Sequence, residues 1–389
     1  MGSGKTSWAI QHINESPDDN FLYITPFLTE VDRIIKNTSR PFRQPLNKGK
    51  GKLFAVNNLL GRQEDIAATH ELFKWFDENS KEEIQNGNYT LILDEVLGVL
   101  DPLPYKQGDI KILLESDSIR IDEDKYVHWN PNKHEYDTIF ADLRRLAEKH
   151  MVVCVNETIL LWKYPPEIFT LFSKVYVLTY LFDASILKYY FDLHNIEYEK
   201  RGLICSENKY YIANYEKPDV SVFKDKIHIY EGSLNSNFYH KNVSLSKSWF
   251  EYRESNEDIA VLRNNLYNYF RNVINAKSSE IIWTTFKDSV NKLKGKGYSS
   301  KFVPFNCRST NEFKDAKALG YCLNVFLHPG ITSYFSPVGV KVDQELYALS
   351  EMLQWIWRSN IRDGGEIYIY IPSKRMRKLL TDWLNNLIG

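Results

Sequence analysis

Gly2, Ser3, Gly4, Lys5 and Thr6 stand directly ahead of Ser7 and a stretch, Trp8 to Ile13, that reads as a helix. No other feature constrains the chain as much. Glycines let successive backbone N–H groups turn toward one point, and a helix N-terminus adds partial positive charge there. Such a loop holds phosphate. Lys5 is placed to reach the outer phosphates and Thr6 to offer a hydroxyl to Mg2+, while Gly2, Ser3, Gly4 and Ser7 line the loop. Only Met1 precedes the loop, so the strand that ordinarily feeds it is expected to be lacking, leaving an apolar sheet edge to cover.

A phosphate loop needs an apolar strand ending in a carboxylate. Leu91-Ile-Leu-Asp94-Glu95 fits, about 90 residues on and with two strand candidates between. Asp94 is expected to hold Mg2+, and Glu95 to orient and deprotonate an attacking water.

The remaining chain alternates short apolar runs with helical periodicity, which predicts mainly parallel sheets covered on both faces. Strands are expected at Phe21–Thr25, Asp65–Thr69, Tyr89–Leu93, Met151–Val155 and Lys174–Thr179. In the second half they are expected at Ile227–Tyr230, Glu280–Thr285, Phe302–Asn306, Leu323–Leu327 and Glu366–Ile371. Helices are expected at Thr29–Lys36, His70–Asn79, Tyr136–Lys149, Ser255–Val273, Asp343–Arg362 and Lys374–Leu387. At 389 residues the chain suits two α/β domains, taken as 1–195 and 196–389. Residues 101–135, rich in turns and proline, break the alternation and predict an inserted hairpin or loop.

A hydrophobic fraction of 43% with 25% charged residues excludes a disordered chain. The net charge of −1 carries no global signature of a nucleic-acid binder, so such binding must use local patches. Four widely spaced cysteines with no CxxC pair argue against a zinc site or disulfide framework and for reduced cytosol. No apolar run approaches the length of a membrane span, so no membrane partner is expected.

With both phosphate motifs in place, the ordered series resembles superfamily 2 helicases of the DEAD/DEAH-like kind, in particular compact proteins of phages and mobile elements. The resemblance implies two tandem RecA-like domains, ATP and Mg2+ as ligands, and single-stranded or forked nucleic acid as partner, DNA favoured over RNA. A replication protein is a further partner it suggests, and the host cytoplasm a location. Tyr23-Ile-Thr25-Pro26 with Arg33 sits where these enzymes place their first strand-contacting motif, and Asp65-Ile-Ala-Ala-Thr69-His70 resembles the next. Either threonine could equally be a helix cap. Thr179-Tyr180 resembles the Ser-Ala-Thr motif, with Tyr180 where the family has a small residue. Thr285 and Lys287 resemble the first motif of the second domain, and Thr310 and Asn311 fall where its second would lie. Gln354, Arg358 and Arg362, spaced four apart, share one side of the predicted helix, opposite an apolar face. The resemblance makes Arg358, ahead of Arg362, an arginine finger.

Three basic runs support a strand track. Lys36–Lys52 holds six Lys/Arg and no acid, Lys287–Lys301 five lysines against one aspartate, and Lys374–Lys378 is the third. Two other classes stay open: a helicase-fold assembly module without competent hydrolysis, and a P-loop kinase or packaging ATPase.

Overall fold

The computed structural model describes residues 4–47, 49–133, 139–235, 243–252, 256–306 and 312–389. They form two compact units, one of residues 4–215 and 327–342, the other of residues 216–326 and 343–389.

In the first unit the apolar runs become β1 (Asn20–Thr25), β2 (Ile66–Thr69) and β3 (Tyr89–Asp94). An insertion follows with β4 (Leu100–Pro102), β5 (Ile119–Ile121), β6 (Val127–Trp129), β7 (Val152–Val155) and β8 (Ile159–Lys163). The chain then re-enters the main sheet at β9 (Lys174–Leu178), giving the order β2-β1-β3-β9 with every pair parallel. Among the described residues β9 pairs with β3 alone and is an edge. Because parallel strands run one way, their carboxyl ends share a rim: Thr25 lies opposite Thr69, Ile24 opposite Leu93, and Asp94 opposite Leu178. Ligands bind at that rim of an open α/β sheet.

The insertion is larger than the expected 101–135. Met151–Val155 does not join the parallel sheet but lies in an antiparallel one, ordered β4-β8-β7. The reason is local. Asn156 and Glu157 adopt left-handed backbone (φ 50° and 57°), which turns β7 directly back into β8. The helix Pro329–Phe335, from the second half of the sequence, packs on this sheet. Gly330 allows the approach, since a Cβ there would lie 2.8 Å from Cγ2 of Ile159.

A second hairpin, β10 (Arg201–Ser206) and β11 (Lys209–Asn214), moves the division of the chain from 195/196 to 215/216. Leu203 and Tyr210 pack against the cluster around Trp8, Ile13, Phe21 and Tyr23, so burial ties the hairpin to the first unit.

The second unit is a parallel sheet of β12 (Ile227–Ile229), β13 (Ile281–Thr284), β14 (Ala318–Tyr321) and β15 (Ile367–Tyr370), in the order β12-β15-β14-β13. Phe302–Asn306 contributes a single bridge, Phe302 to Trp283, instead of a strand. The strand expected at Leu323–Leu327 lies just upstream at β14, where Gly320 lets the helix Asn256–Asn268 close down; a Cβ there would lie 2.6 Å from Leu266 Cδ1. Among the described residues no helix is long and apolar enough to cross a membrane.

Candidate functional site

The helix Lys5–Glu15 begins directly after the glycine-containing segment, with Gly4 as its N-cap in left-handed backbone at φ 77°. Gly2 and Ser3 lie outside the described residues. Thr6 and Ser7 open the helix half-buried. Burial pulls the Lys5 ammonium below its ordinary pKa, while the carboxylates of Glu95 and Asp94 pull it back up. The lysine and the two acids, far apart in sequence, thus share one electrostatic site.

Asp94 ends β3 at 9% exposure and accepts a hydrogen bond from the Tyr23 hydroxyl at 2.7 Å. Burial pushes its carboxyl up to about 6; the Tyr23 bond opposes the shift and the nearby Glu95 charge adds to it. Glu95 follows with φ 71°, uncommon for a residue with a Cβ, and its N–H donates to the Leu178 carbonyl at 3.1 Å. That bond extends the β3–β9 ladder and brings Asp94-Glu95 beside Thr179-Tyr180. A buried carboxylate short of positive charge, a desolvated lysine and a hydroxyl at the helix start fit a magnesium nucleotide. Thr6 and Asp94 would hold the metal, and Gly4, Lys5 and Ser7 the phosphates.

Two further residues reach this site that its phosphate motifs do not include. Tyr23 orients Asp94 across neighbouring strands, a relation only the sheet register creates. Tyr210 reaches the loop from the β10–β11 hairpin, which Gln11 clamps: its Nε2 donates to the Tyr210 carbonyl (3.1 Å) and its Oε1 accepts from the Tyr210 N–H (2.8 Å). A Cβ built on Gly4 would lie 2.2 Å from Tyr210 Cε1. Gly4→Ala therefore meets both a strained φ and a ring, and is expected to lower the Tm by several degrees, on the order of 1–3 kcal/mol. Adding Tyr210→Ala should recover part of the loss. A Gly4→Ala protein melting like wild type would place the ring elsewhere.

The strand-contact residues of the first unit divide by environment. Thr25 is fully buried at the end of β1, its Oγ1 without a hydrogen-bond partner, and it caps no helix. Thr69 does cap one, accepting from the Leu72 N–H at 3.4 Å, so the capping reading holds for it alone of the two. His70 is buried, Pro26 half-buried, and exposed Arg33 pairs with Glu30 at 3.1 Å. In the second unit Thr285 is fully buried and Lys287 exposed, while Thr310 and Asn311 lie outside the described residues.

The arginine constellation differs from expectation. The helix Gln344–Ile356 ends before either arginine, so Gln354, Arg358 and Arg362 do not share its side. Trp357, buried against Phe223 and Trp383, folds the chain over at that point. Arg358 is consequently buried at 5% exposure, not presented on a free face, whereas Arg362 is exposed in the turn Asn360–Asp363.

Basic runs are partly structural too. Arg40 pairs with the buried Asp65 at 2.8 Å and caps carbonyls of Ser16 and Asp19; Arg43 pairs with Glu64 at 2.9 Å. In the third run Arg375 binds Glu345, Asn324 and Val325, Arg377 binds Glu231 and Ile371, and Lys378 pairs with Asp382. These charges already have partners within their own units.

Similarity to known proteins agrees with this architecture. A solved XPD helicase structure aligns over 100% of this chain and 93% of its own, with TM-score 0.52 and 11% identity. At that identity the likeness carries the fold alone, which is like that of the XPD helicase. Residues 100–162 match the YonV middle domain, which coincides with the insertion β4 to β8, and residues 221–384 match the YonV C-terminal Rossmann-like domain. Across 405 aligned residues the chain is 41% identical to the SPbeta prophage-derived uncharacterized protein YonV of Bacillus subtilis (strain 168), covering 99% of this chain and 97% of that protein. The chain belongs to the YonV family.

Proposed function

We propose that this protein is an ATP-dependent helicase or translocase acting on single-stranded or forked DNA during phage replication or recombination in the host cytoplasm. The observation carrying the reading is the rim of the first sheet, where Lys5, Asp94 and Glu95 form one charged site and Thr25 and Thr69 end the adjoining strands. Magnesium-bound ATP supplies the phosphoryl group and the charge that Asp94 and Thr6 are suited to hold. Lys5 and the loop N–H groups orient the phosphates, and Glu95 takes the proton of the attacking water. In the second unit Arg362, being exposed, takes the finger role ahead of the buried Arg358. A replication protein would load such a motor.

The burial of Arg358 and the Tyr210 ring against Gly4 favour one other reading, a helicase-fold nucleic-acid-binding or assembly module with little hydrolysis. Phosphate release with and without single-stranded DNA separates the two. The motor predicts turnover raised several-fold or more by the strand and abolished in Lys5→Ala. Turnover that ignores DNA, or that survives unchanged in Lys5→Ala, overturns it in favour of the module.

A further inference from the structure

Beside the β2 end of the rim lies a cleft of about 610 Å3 that no motif describes. Its floor is Trp75, half-buried, which follows the short helix His70–Phe73 capped by Thr69. Two cations of the inserted middle region stand over the indole: the Arg145 guanidinium and the Lys149 ammonium, each 5.5 Å from the ring centroid. Lys52, from the end of the first basic run, and Thr69 also line the cleft.

The charges are not mutually cancelled. Two acids line the cleft, but Glu71 is ion-paired with Lys74 at 3.2 Å and Glu148 with Arg144 at 3.7 Å. Arg145 pairs with the exposed Asp142. Among the described residues neither Lys52 nor Lys149 makes a close ion pair, although the Lys149 charge is near enough to Asp77 to help hold its carboxyl below the usual range. A flat aromatic ring with Arg145 and Lys149 at its face and Lys52 in the same lining suits one repeat unit: an anionic group joined by a short tether to a planar ring. A nucleotide of a single strand has that form. Stacking on an aromatic ring is tolerant of base identity, and ammonium groups follow the backbone.

The geometry points to a nucleotide-binding pocket for a single-stranded polynucleotide in this cleft, with a base stacked on Trp75 and backbone phosphate at Lys52 and Lys149. Arg145 and Lys149 cover the ring until the base replaces them there, Lys149 turning aside to the phosphate. The site rests on the nucleic-acid reading above and adds to it a contact from the insertion, which the rim residues alone do not provide.

The test compares fluorescein-labelled dT16, its abasic sugar-phosphate counterpart and rU16 by anisotropy, on wild type, Trp75→Ala and Trp75→Phe. Wild type is expected to prefer the better-bound base-bearing strand over the abasic one by roughly tenfold or more. Trp75→Ala should lose most of that preference by weakening only the base-bearing strand, and Trp75→Phe should restore it in part. Independently, Lys52→Ala with Lys149→Ala should flatten the plot of log affinity against log salt by about 0.7 per lost phosphate contact. If a strand binds wild type but base removal costs nothing, or Trp75→Ala weakens both strands equally, the pocket is refuted and the nucleic-acid reading stands. If neither dT16 nor rU16 binds, the nucleic-acid reading itself fails and takes the pocket with it.

Discussion

Glu95→Gln is expected to lower strand-stimulated ATP turnover by about two orders of magnitude or more while leaving nucleotide affinity within a few-fold of wild type. The amide keeps the shape of the side chain but cannot accept a proton, and general-base catalysis contributes roughly 10²–10⁴ in rate. The backbone supports so specific a role. Glu95 is held at φ 71° by its N–H bond to Leu178, an arrangement that costs free energy and fixes where the side chain starts. Phosphate release at saturating ATP reads kcat, and a fluorescent ADP analogue reads affinity. An unimpaired kcat in Glu95→Gln would remove Glu95 from the base role. A loss of affinity equal to the loss of rate would show instead that the residue holds the nucleotide.

Asp94→Asn is expected to raise stability while, like Glu95→Gln, lowering activity. The Asp94 carboxyl is raised from 3.8 to about 6 by burial, so between those values the folded protein binds a proton that the unfolded chain has released. Its stabilising contribution is complete below about pH 4, falls as pH rises toward 6, and is gone above that. At pH 7.5 the ion-free wild type therefore carries a buried charge costing on the order of 3 kcal/mol, which asparagine avoids while still accepting the Tyr23 hydrogen bond. Asp94→Asn is expected to melt several degrees above wild type at pH 7.5, with the gap closing toward pH 4. Adding MgATP should raise the wild-type Tm and leave the variant nearly unmoved. Scanning calorimetry across pH checks both. A variant less stable than wild type at pH 7.5 would mean that Asp94 is already compensated in the ion-free protein.

Much of the first unit was legible because its signals are local. Phe21–Thr25, Asp65–Thr69, Tyr89–Leu93 and Lys174–Thr179 are apolar runs that parallel strands require, and each became a strand of one sheet. Met151–Val155 has the same composition, yet the left-handed turn at Asn156 and Glu157 sends it into another sheet. Arg40 and Arg375 look alike in a charge count with Lys52 and Lys149. Only their partners separate a strut from a surface charge.

The sequence by itself determined much of the strand and helix alternation, the helix that starts directly after Gly4, and the carboxylates at the end of β3, because these depend on residue type and spacing within one element. Tertiary structure alone decided the rest. It put Tyr23 on Asp94 and Tyr210 on Gly4, ended the helix before Arg358 and buried that arginine, and set Trp75 under Arg145 and Lys149. Each of those outcomes turns on which surfaces pack together, and packing couples residues with no fixed separation along the chain.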